Sequence, residues 1–156
     1  MKRDRDGTGF RSVGESYERR EQGCPFCEML KDRMVGETEL AYAVREAFPV
    51  TPLHALVILK RHVRGYFELG RPELNACHRL LEREKKAIEQ VDPNVEGFNV
   101  GTNDGKVAGQ TIFHCHMHLI PRRKGGMEDS TSGVRRSSRA KASTDAKIIS
   151  NQSNRS

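Results

Sequence analysis

Residues 109–121 read Gly109-Gln110-Thr111-Ile112-Phe113-His114-Cys115-His116-Met117-His118-Leu119-Ile120-Pro121 and hold three of the chain's six histidines. Apolar residues separate and flank these histidines, a pattern that favours a β-strand. Because side chains alternate across a strand, His114, His116 and His118 are predicted to share one face, with neighbours about 7 Å apart. The opposite face, predicted to be buried, would carry Phe113, Cys115, Met117 and Leu119. Three imidazoles on one face indicate a site that binds or reacts.

The composition predicts one packed domain with unpacked ends. Of the 156 residues, 35% are hydrophobic and 31% charged, which is a low and a high share for a compact domain. Residues 1–21 are interpreted as a flexible N-terminal segment and residues 22–126 as the domain. Residues 127–156 form a basic, Ser-rich stretch that is predicted to be a disordered tail.

Charge and apolar patterning limit where the protein acts. The net charge is +6, much of it in the two ends, and a basic tail can touch nucleic acid non-specifically, although most such tails are simply solvated. No apolar run is long enough to cross a membrane, and the first residues lack the apolar segment of a signal peptide. The expected location is therefore cytoplasmic, with no membrane partner.

Hydrophobic periodicity predicts a mostly antiparallel α+β fold, an antiparallel sheet with one long and one short helix. The predicted order is a short helix over 28–34, strands over 40–44 and 54–59, a long helix over 72–91, a strand over 98–101 and the histidine strand. The long helix has the clearest pattern, since one apolar stripe runs through Leu74, Cys77, Leu80, Leu81, Ile88 and Val91.

The histidine strand is compatible with three kinds of chemistry, which the residues alone leave open. The three imidazoles could ligate a catalytic metal, although they span about 14 Å and would have to curl inward. Alternatively, one neutral imidazole could attack phosphorus while the turn-rich loop 102–109 and its neighbours donate hydrogen bonds to the phosphate. Finally, the strand could be a binding surface only, or half of a structural metal site.

The motif Cys24-Pro25-Phe26-Cys27 also has more than one interpretation. Two cysteines at this spacing can bind one tetrahedral zinc ion, which then needs two further ligands. The spacing to the histidines matches no standard zinc finger. The rival is a thioredoxin-like redox pair, which the polar segment before Cys24 disfavours. Disulfides are not expected, because nothing marks the chain as secreted.

Four stretches together resemble the histidine triad (HIT) superfamily. The strand His114-Cys115-His116-Met117-His118 is similar to its signature of three histidines separated by apolar residues. Residues 48–63, residues 98–109 and the C-x-x-C motif match in order and spacing. The resemblance covers residues 22 to 124 and is closest to the zinc-containing bacterial type.

The resemblance implies roles for individual residues. His116 would be the nucleophile that becomes transiently nucleotidylated, His118 would contact the phosphate, and His54 would orient the catalytic imidazole. The positions implied to contact substrate are Asn103, Gln110 and Thr111 for the phosphate and leaving group, Glu46 for the ribose, and Phe26 and Leu56 for the base. Glu46 stands where the family usually has the shorter aspartate, so ribose recognition is expected to be shifted or weaker.

The resemblance also implies a structural zinc ion. Its ligands would be Cys24, Cys27, His62 and His114, and it would hold the N-terminal segment against the sheet. His114 would then take no direct part in the chemistry.

By the same resemblance the protein is a nucleotide hydrolase or transferase that acts at the α-phosphate of a dinucleoside polyphosphate or a nucleoside phosphoramidate. Its base would be adenine or guanine, and Mg²⁺ could accompany a polyphosphate substrate. The family commonly forms homodimers, and a homodimer is expected here. The alternatives are a non-catalytic nucleotide-binding regulator and a metal-dependent hydrolase that uses the triad as ligands.

Overall fold

The computed structural model describes residues 17–125 as a five-stranded antiparallel sheet with one long helix. The elements are β1 (Met34–Glu37), β2 (Ala41–Arg45), β3 (Ala55–Leu59), α1 (Arg71–Val91), β4 (Val95–Gly101) and β5 (His116–Arg123). The strand order is β1-β2-β3-β5-β4, so the histidine strand β5 lies inside the sheet and β1 and β4 form its edges. The α+β class is confirmed.

Helix α1 covers one face of the sheet and forms the main core with β2, β3 and β5. Its start is favoured by Pro72 in the first turn and by Glu73, whose Oε1 accepts a hydrogen bond from the Gly70 amide at 3.0 Å. The predicted apolar stripe is buried at Cys77, Leu80 and Ile88. Val91, the last residue of the predicted stripe, is 71% exposed because the helix ends there.

Two carboxylates lie on the buried face of α1, which the apolar pattern did not predict. Glu73 is fully buried and binds the Arg61 guanidinium through both oxygens, at 2.7 and 2.9 Å. Glu84 is 4% exposed and binds Arg45 at 3.0 Å. Buried carboxylates are tolerated when they are paired in this way. The two ion pairs connect the helix to β2 and to the chain that follows β3.

The predicted short helix over 28–34 is wrong. The structure has one 3-10 turn, Lys31–Arg33, followed by strand β1. Met29 and Met34 pack against the cluster around Phe26 while Leu30 stays 66% exposed, so the apolar residues do not form a helical stripe. Gly36 pairs with Ala43 of β2 at a point where an added Cβ would lie only 2.8 Å from Glu84 Oε1. A glycine here therefore serves close strand–helix packing rather than the end of a helix.

The histidine strand is shorter than the sequence predicts. Strand β5 begins at His116, and the preceding segment is attached by the Cys115 amide, which donates to the Val63 carbonyl at 2.7 Å. Cys115, Met117 and Leu119 are buried as expected. Phe113 is not buried: 38% of it is exposed, and the Arg64 guanidinium lies 4.6 Å from its ring centroid.

The last residues of the predicted N-terminal segment contact the domain within the described chain. The Arg19 carbonyl accepts a hydrogen bond from the His62 amide at 2.6 Å, and Glu21 contacts the His62 ring. Residues 17–21 thus contact the domain already. The rest of the predicted flexible N-terminal segment, and the predicted tail over 127–156, lie outside the described residues. Within residues 17–125 no helix is long and apolar enough to span a bilayer.

Candidate functional site

His116 lies at the start of β5 and is 4% exposed. Its ring Nδ1 is 2.7 Å from the carbonyl oxygen of His114. Since a carbonyl only accepts, Nδ1 carries the proton, and the lone pair of the neutral ring is on Nε2. The His116 carbonyl accepts a hydrogen bond from Thr102 Oγ1 at 2.7 Å, which fixes the backbone at this residue. The ring is therefore held in the tautomer that makes Nε2 a nucleophile.

His54 and His118 form a hydrogen-bonded pair on neighbouring strands. The Val50 amide donates to His54 Nδ1 at 3.2 Å, so the proton of neutral His54 is on Nε2. That Nε2 lies 3.0 Å from His118 Nδ1 and donates to it. The proton of neutral His118 is consequently on Nε2, which makes this atom a donor. The two rings are 1% and 2% exposed.

Glu46 lies beside this pair. One oxygen of its carboxylate, His54 and His118 each offer a ligand atom within 4.8 Å of the others, and all three residues are buried. Glu46 Oε1 also accepts a hydrogen bond from the Phe48 amide at 3.2 Å.

An apolar wall closes one side of His116. The Phe26 ring meets the His116 ring edge to face, with centroids 5.0 Å apart, and the His114 ring at 5.7 Å. Phe26 and Leu56 belong to one buried cluster with Tyr42. The Tyr42 hydroxyl donates to the Phe26 carbonyl, and burial raises the pKa of Tyr42 so that it remains a donor. The two residues expected to bind the base are thus together, next to the candidate nucleophile.

The loop before β5 is held by Gln110. Its Oε1 accepts a hydrogen bond from the Gly105 amide at 2.8 Å, while its Nε2 donates to the carbonyls of Arg64 and Ile112 at 2.8 and 3.1 Å. Both N–H bonds of the side chain are used, which favours a loop-bracing role over direct contact with phosphate. Thr111 is exposed, and Asn103 Nδ2 lies 3.5 Å from the Gly109 carbonyl.

Four residues from three parts of the chain form a candidate metal site. Cys24 Sγ lies 3.3 Å from His114 Nδ1, and Cys27 Sγ lies 3.3 Å from His62 Nδ1 and 3.5 Å from His114 Nδ1. All four ligand atoms are within 4.8 Å of one another. Sulfur and nitrogen ligands of one tetrahedral zinc ion are about 3.5 Å apart, given Zn–S of about 2.3 Å and Zn–N of about 2.0 Å. The donor set and its spacing fit zinc.

His114 and His62 each use the Nε2 atom in a contact away from the cysteines, which orients the ring for metal binding through Nδ1. His114 Nε2 donates to the Leu59 carbonyl at 2.6 Å, and His62 Nε2 lies 2.7 Å from Glu21. Each contact places the ring proton away from the cysteines, which leaves both Nδ1 atoms for a metal ion. Burial lowers the pKa of His114 to about 4, so its ring is neutral at neutral pH. Neutral imidazole is the form that ligates zinc.

The three strand histidines do not converge on one ion. His114 Nδ1 faces the cysteines, His116 Nδ1 faces a carbonyl and His118 Nδ1 faces His54. Among residues 17–125, two clusters of side chains could hold a metal ion, and His114 belongs to one of them while His118 belongs to the other. This arrangement contradicts the alternative in which the triad forms one catalytic metal site.

Some residues of the site were not singled out from the sequence. Thr102, Glu21, Leu59 and Tyr42 act through contacts with residues distant in sequence. Their hydrogen bonds use generic groups, a hydroxyl, a carboxylate and a carbonyl, so no local pattern marks them.

Comparison with known proteins identifies similar domains. The HIT domain family matches residues 28–125. The chain is 34% identical to the adenosine 5′-monophosphoramidase of Schizosaccharomyces pombe over 103 residues, which are 64% of this chain and 74% of the relative. It is 37% identical to the bis(5′-adenosyl)-triphosphatase of Dictyostelium discoideum over 93 residues, which are 60% of this chain and 62% of the relative.

A solved structure with the same fold contains zinc. It is a Zn-bound histidine triad family protein from Mycobacterium smegmatis, with a TM-score of 0.61 and 27% identity. The superposition covers 83% of this chain and 97% of the other. A zinc ion is thus found in a similar protein, and the four-residue cluster described above could hold one here.

Proposed function

This chain belongs to the HIT domain family and is a hydrolase of that family, and we propose that it hydrolyses nucleotide conjugates through a covalent nucleotidyl-His116 intermediate. The observation that carries the proposal is the hydrogen bond from His116 Nδ1 to the His114 carbonyl. It holds the imidazole in the tautomer with its lone pair on Nε2, which is the form that attacks.

In the first step, His116 Nε2 attacks the α-phosphorus of the substrate. An N–P bond forms, the bond from phosphorus to the bridging atom breaks, and its electron pair leaves with the leaving group. A neutral imidazole becomes positively charged as it attacks, and the His114 carbonyl, which accepts the hydrogen bond from Nδ1–H, stabilises this charge.

In the second step, water attacks the same phosphorus. The N–P bond breaks, its electron pair returns to Nε2, the attacking water gives up a proton to solvent, and a nucleoside monophosphate is released from neutral His116. Throughout, His118 Nε2–H donates a hydrogen bond to a phosphate oxygen, since the His54–His118 contact places its proton there. Further donors come from Thr111, Asn103 and the loop amides, which Gln110 keeps in place.

The apolar wall and the buried carboxylate suit a nucleoside. Phe26 and Leu56 offer an apolar surface for a purine, adenine or guanine. Glu46 can accept hydrogen bonds from the ribose hydroxyls. The names of the two relatives point to adenosine 5′-phosphoramidates and diadenosine polyphosphates. We expect Mg²⁺ only as a companion of a polyphosphate substrate.

Zinc has a structural role in this proposal. Cys24, Cys27, His62 and His114 would hold it and leave no ligand position open for substrate. The bound ion would neutralise the thiolates and join the N-terminal segment to the sheet.

The proposed intermediate can be trapped. The enzyme is mixed with excess diadenosine tetraphosphate and quenched rapidly without acid. Digestion and mass spectrometry are then expected to find AMP on the peptide that contains His116. The phosphoramidate bond of the adduct should be lost in acid and stable in base. Adenylylation of another residue, or turnover with no adduct under any quench, would contradict the covalent route.

We also propose that the protein is a homodimer whose sheet continues through β4. Support comes from the position of β4 at one edge of the sheet and from Val100 on it, which is 55% exposed. Sedimentation equilibrium is expected to give twice the mass of one chain, and Val100→Glu to shift it toward monomer. Val35→Glu, a change of a 47% exposed valine on the opposite edge strand, is the control. A monomer at tens of micromolar protein, or dissociation by the control instead, would refute the arrangement.

A further inference from the structure

Phe26 lies between the two cysteines of the candidate zinc site, in the motif Cys24-Pro25-Phe26-Cys27. Both sulfur atoms belong to the metal cluster. The Phe26 ring meets the His116 ring edge to face, with centroids 5.0 Å apart. A covalent change that joins the two sulfur atoms therefore acts directly on the residue that forms the apolar wall beside His116.

The four cysteines of the chain differ in their access to solvent. Cys77 and Cys115 are buried in the main core, with exposed fractions of 0% and 2%. Cys24 and Cys27 are partly exposed, and all four thiols are free rather than joined in disulfides. Because thiol chemistry requires access, a reagent in solution reaches the pair at the metal site before the pair in the core.

A cleft of about 690 Å³ leads to one sulfur atom of the exposed pair. Among the four cysteines, Cys24 is the one that lines this cleft, as part of the segment 21–25. A space of this volume is within the range of small-molecule sites. The Cys27 sulfur instead accepts a hydrogen bond from the Glu21 amide at 3.4 Å and lies 3.3 Å from His62 Nδ1. A small reagent therefore meets Cys24 first.

The sulfur atoms of Cys24 and Cys27 are positioned to react one after the other. They lie within 4.8 Å of each other in the metal cluster, and two residues separate them, a spacing at which reversible disulfides form. A disulfide needs the sulfur atoms about 2.05 Å apart, so the chain has to move for the bond to form. A Cβ added at Gly23 would meet no atom within 4 Å, which shows that the chain has room to move beside Cys24.

We propose that Cys24 is a modification site for low-molecular-weight disulfides, and that its subsequent reaction with Cys27 releases the zinc ion and displaces Phe26. The Cys24 thiolate, the form in which cysteine ligates zinc, attacks one sulfur atom of the reagent. A bond forms between the two sulfur atoms, the S–S bond of the reagent breaks, and one thiolate leaves with the electron pair and takes a proton from water.

In the next step the Cys27 thiolate attacks Cys24 Sγ. The mixed disulfide breaks, the Cys24–Cys27 disulfide forms, and the second thiolate of the reagent leaves and is protonated in the same way. In total the two cysteines are oxidised by two electrons, and the reagent is reduced by the same two electrons. An excess of a reducing thiol runs the exchange backwards, so this disulfide is a transient state and not part of the resting fold.

The disulfide removes both charged ligands from the metal site. His62 and His114 are then the remaining ligands, and zinc sites in proteins ordinarily need at least three. Formation of the bond also moves Phe26, whose ring contacts His116. Oxidation is therefore expected to weaken nucleotide binding. This thiol chemistry needs no nucleotide turnover, so it holds independently of the proposed hydrolysis.

The test treats the zinc-loaded full chain with excess oxidised glutathione and maps the thiols by peptide mass spectrometry. Formation of the Cys24–Cys27 disulfide is expected to be accompanied by the release of zinc, which a chromogenic chelator detects. Cys77 and Cys115 are the internal control and are expected to remain unmodified over the same time, because they are buried. Retention of zinc after the disulfide has formed, or equal modification of all four cysteines, would overturn the proposal.

Two variants resolve the order of the steps. In Cys27→Ser, a stable glutathione adduct is expected on Cys24, since the second step is blocked. In Cys24→Ser, the adduct on Cys27 should form about tenfold more slowly, because Cys27 does not line the cleft. Each variant lacks one candidate zinc ligand, so the comparison between them isolates access to the reagent. In the unaltered protein, alkylation at early times should likewise trap the first adduct on Cys24, and a first adduct on Cys27 would contradict the proposed order.

Calorimetric titration with AMP measures the effect on the nucleotide site. The oxidised protein is expected to bind AMP about tenfold more weakly than the reduced protein, because the aromatic wall is displaced. Equal affinities would refute the connection through Phe26. Reduced protein that does not bind AMP would contradict the proposed function, while the thiol map and the zinc release would still decide the modification site.

Discussion

His116→Ala is expected to lower kcat/KM for diadenosine tetraphosphate by about 10⁴-fold or more, because the proposed covalent route uses the His116 imidazole as its nucleophile. In the structure His54 and His118 are occupied with each other, and the His114 Nδ1 faces the cysteines. No second imidazole among these is oriented to replace His116. The measurement is steady-state turnover of the purified variant, with the monophosphate product quantified by chromatography.

The control for this prediction is His78→Ala. His78 is an exposed histidine on α1, and its imidazole lies 3.5 Å from Glu82 on the same helix. Its removal is expected to change turnover less than twofold. Circular dichroism and metal content of His116→Ala should match the unaltered protein. A variant that is folded and retains more than about a tenth of the activity would exclude His116 as nucleophile.

Cys24→Ser is expected to abolish zinc binding and to lower the melting temperature by about 10 °C, which corresponds to a loss of about 2 kcal/mol for a domain of this size. The physical reason is that the four ligand atoms of the candidate zinc site come from segments far apart in the chain, so an ion bound there would tie those segments together. Inductively coupled plasma mass spectrometry of the unaltered protein should find about one zinc ion per chain. Removal of the zinc by a chelator should lower the melting temperature by a similar amount.

The matched variant for the metal prediction is again His116→Ala, which should keep its zinc. Loss of zinc on changing His116, with retention in Cys24→Ser, would mean that the strand histidines bind the ion and that the site has been misassigned. An unaltered melting temperature after complete removal of zinc would show that the metal does not stabilise the fold.

Strands β2 to β5 and the long helix could be predicted because their patterns are local. His54–Leu59 is apolar and β-branched, and the helix stripe repeats with helical period, so burial dictated both elements. The family could be recognised because the histidine spacing, the residues 48–63 and the C-x-x-C motif occur in a fixed order, and the match over residues 28–125 confirms it.

Other features depend on contacts that no local pattern reveals. Residues 28–34 have the composition of a helix, but they were drawn into a 3-10 turn and a strand by packing against Phe26 and β2. Glu73 and Glu84 can lie on the apolar face of the helix because Arg61 and Arg45 neutralise their charges. The different surroundings of the three histidines depend on distant partners. Cys24 lies 90 residues before His114, and His54 lies 64 residues before His118.

His114 connects the candidate metal site to the proposed nucleophile through its ring and its backbone carbonyl. Its ring belongs to the metal cluster, while its carbonyl sets the tautomer of His116. A substitution that releases the ring would let the backbone shift, and the nucleophile would lose its orientation as well. Selection for turnover alone would therefore preserve the candidate metal ligands, and a deep mutational scan read out by growth would rank His114 with the proposed nucleophile although its ring faces the cysteines.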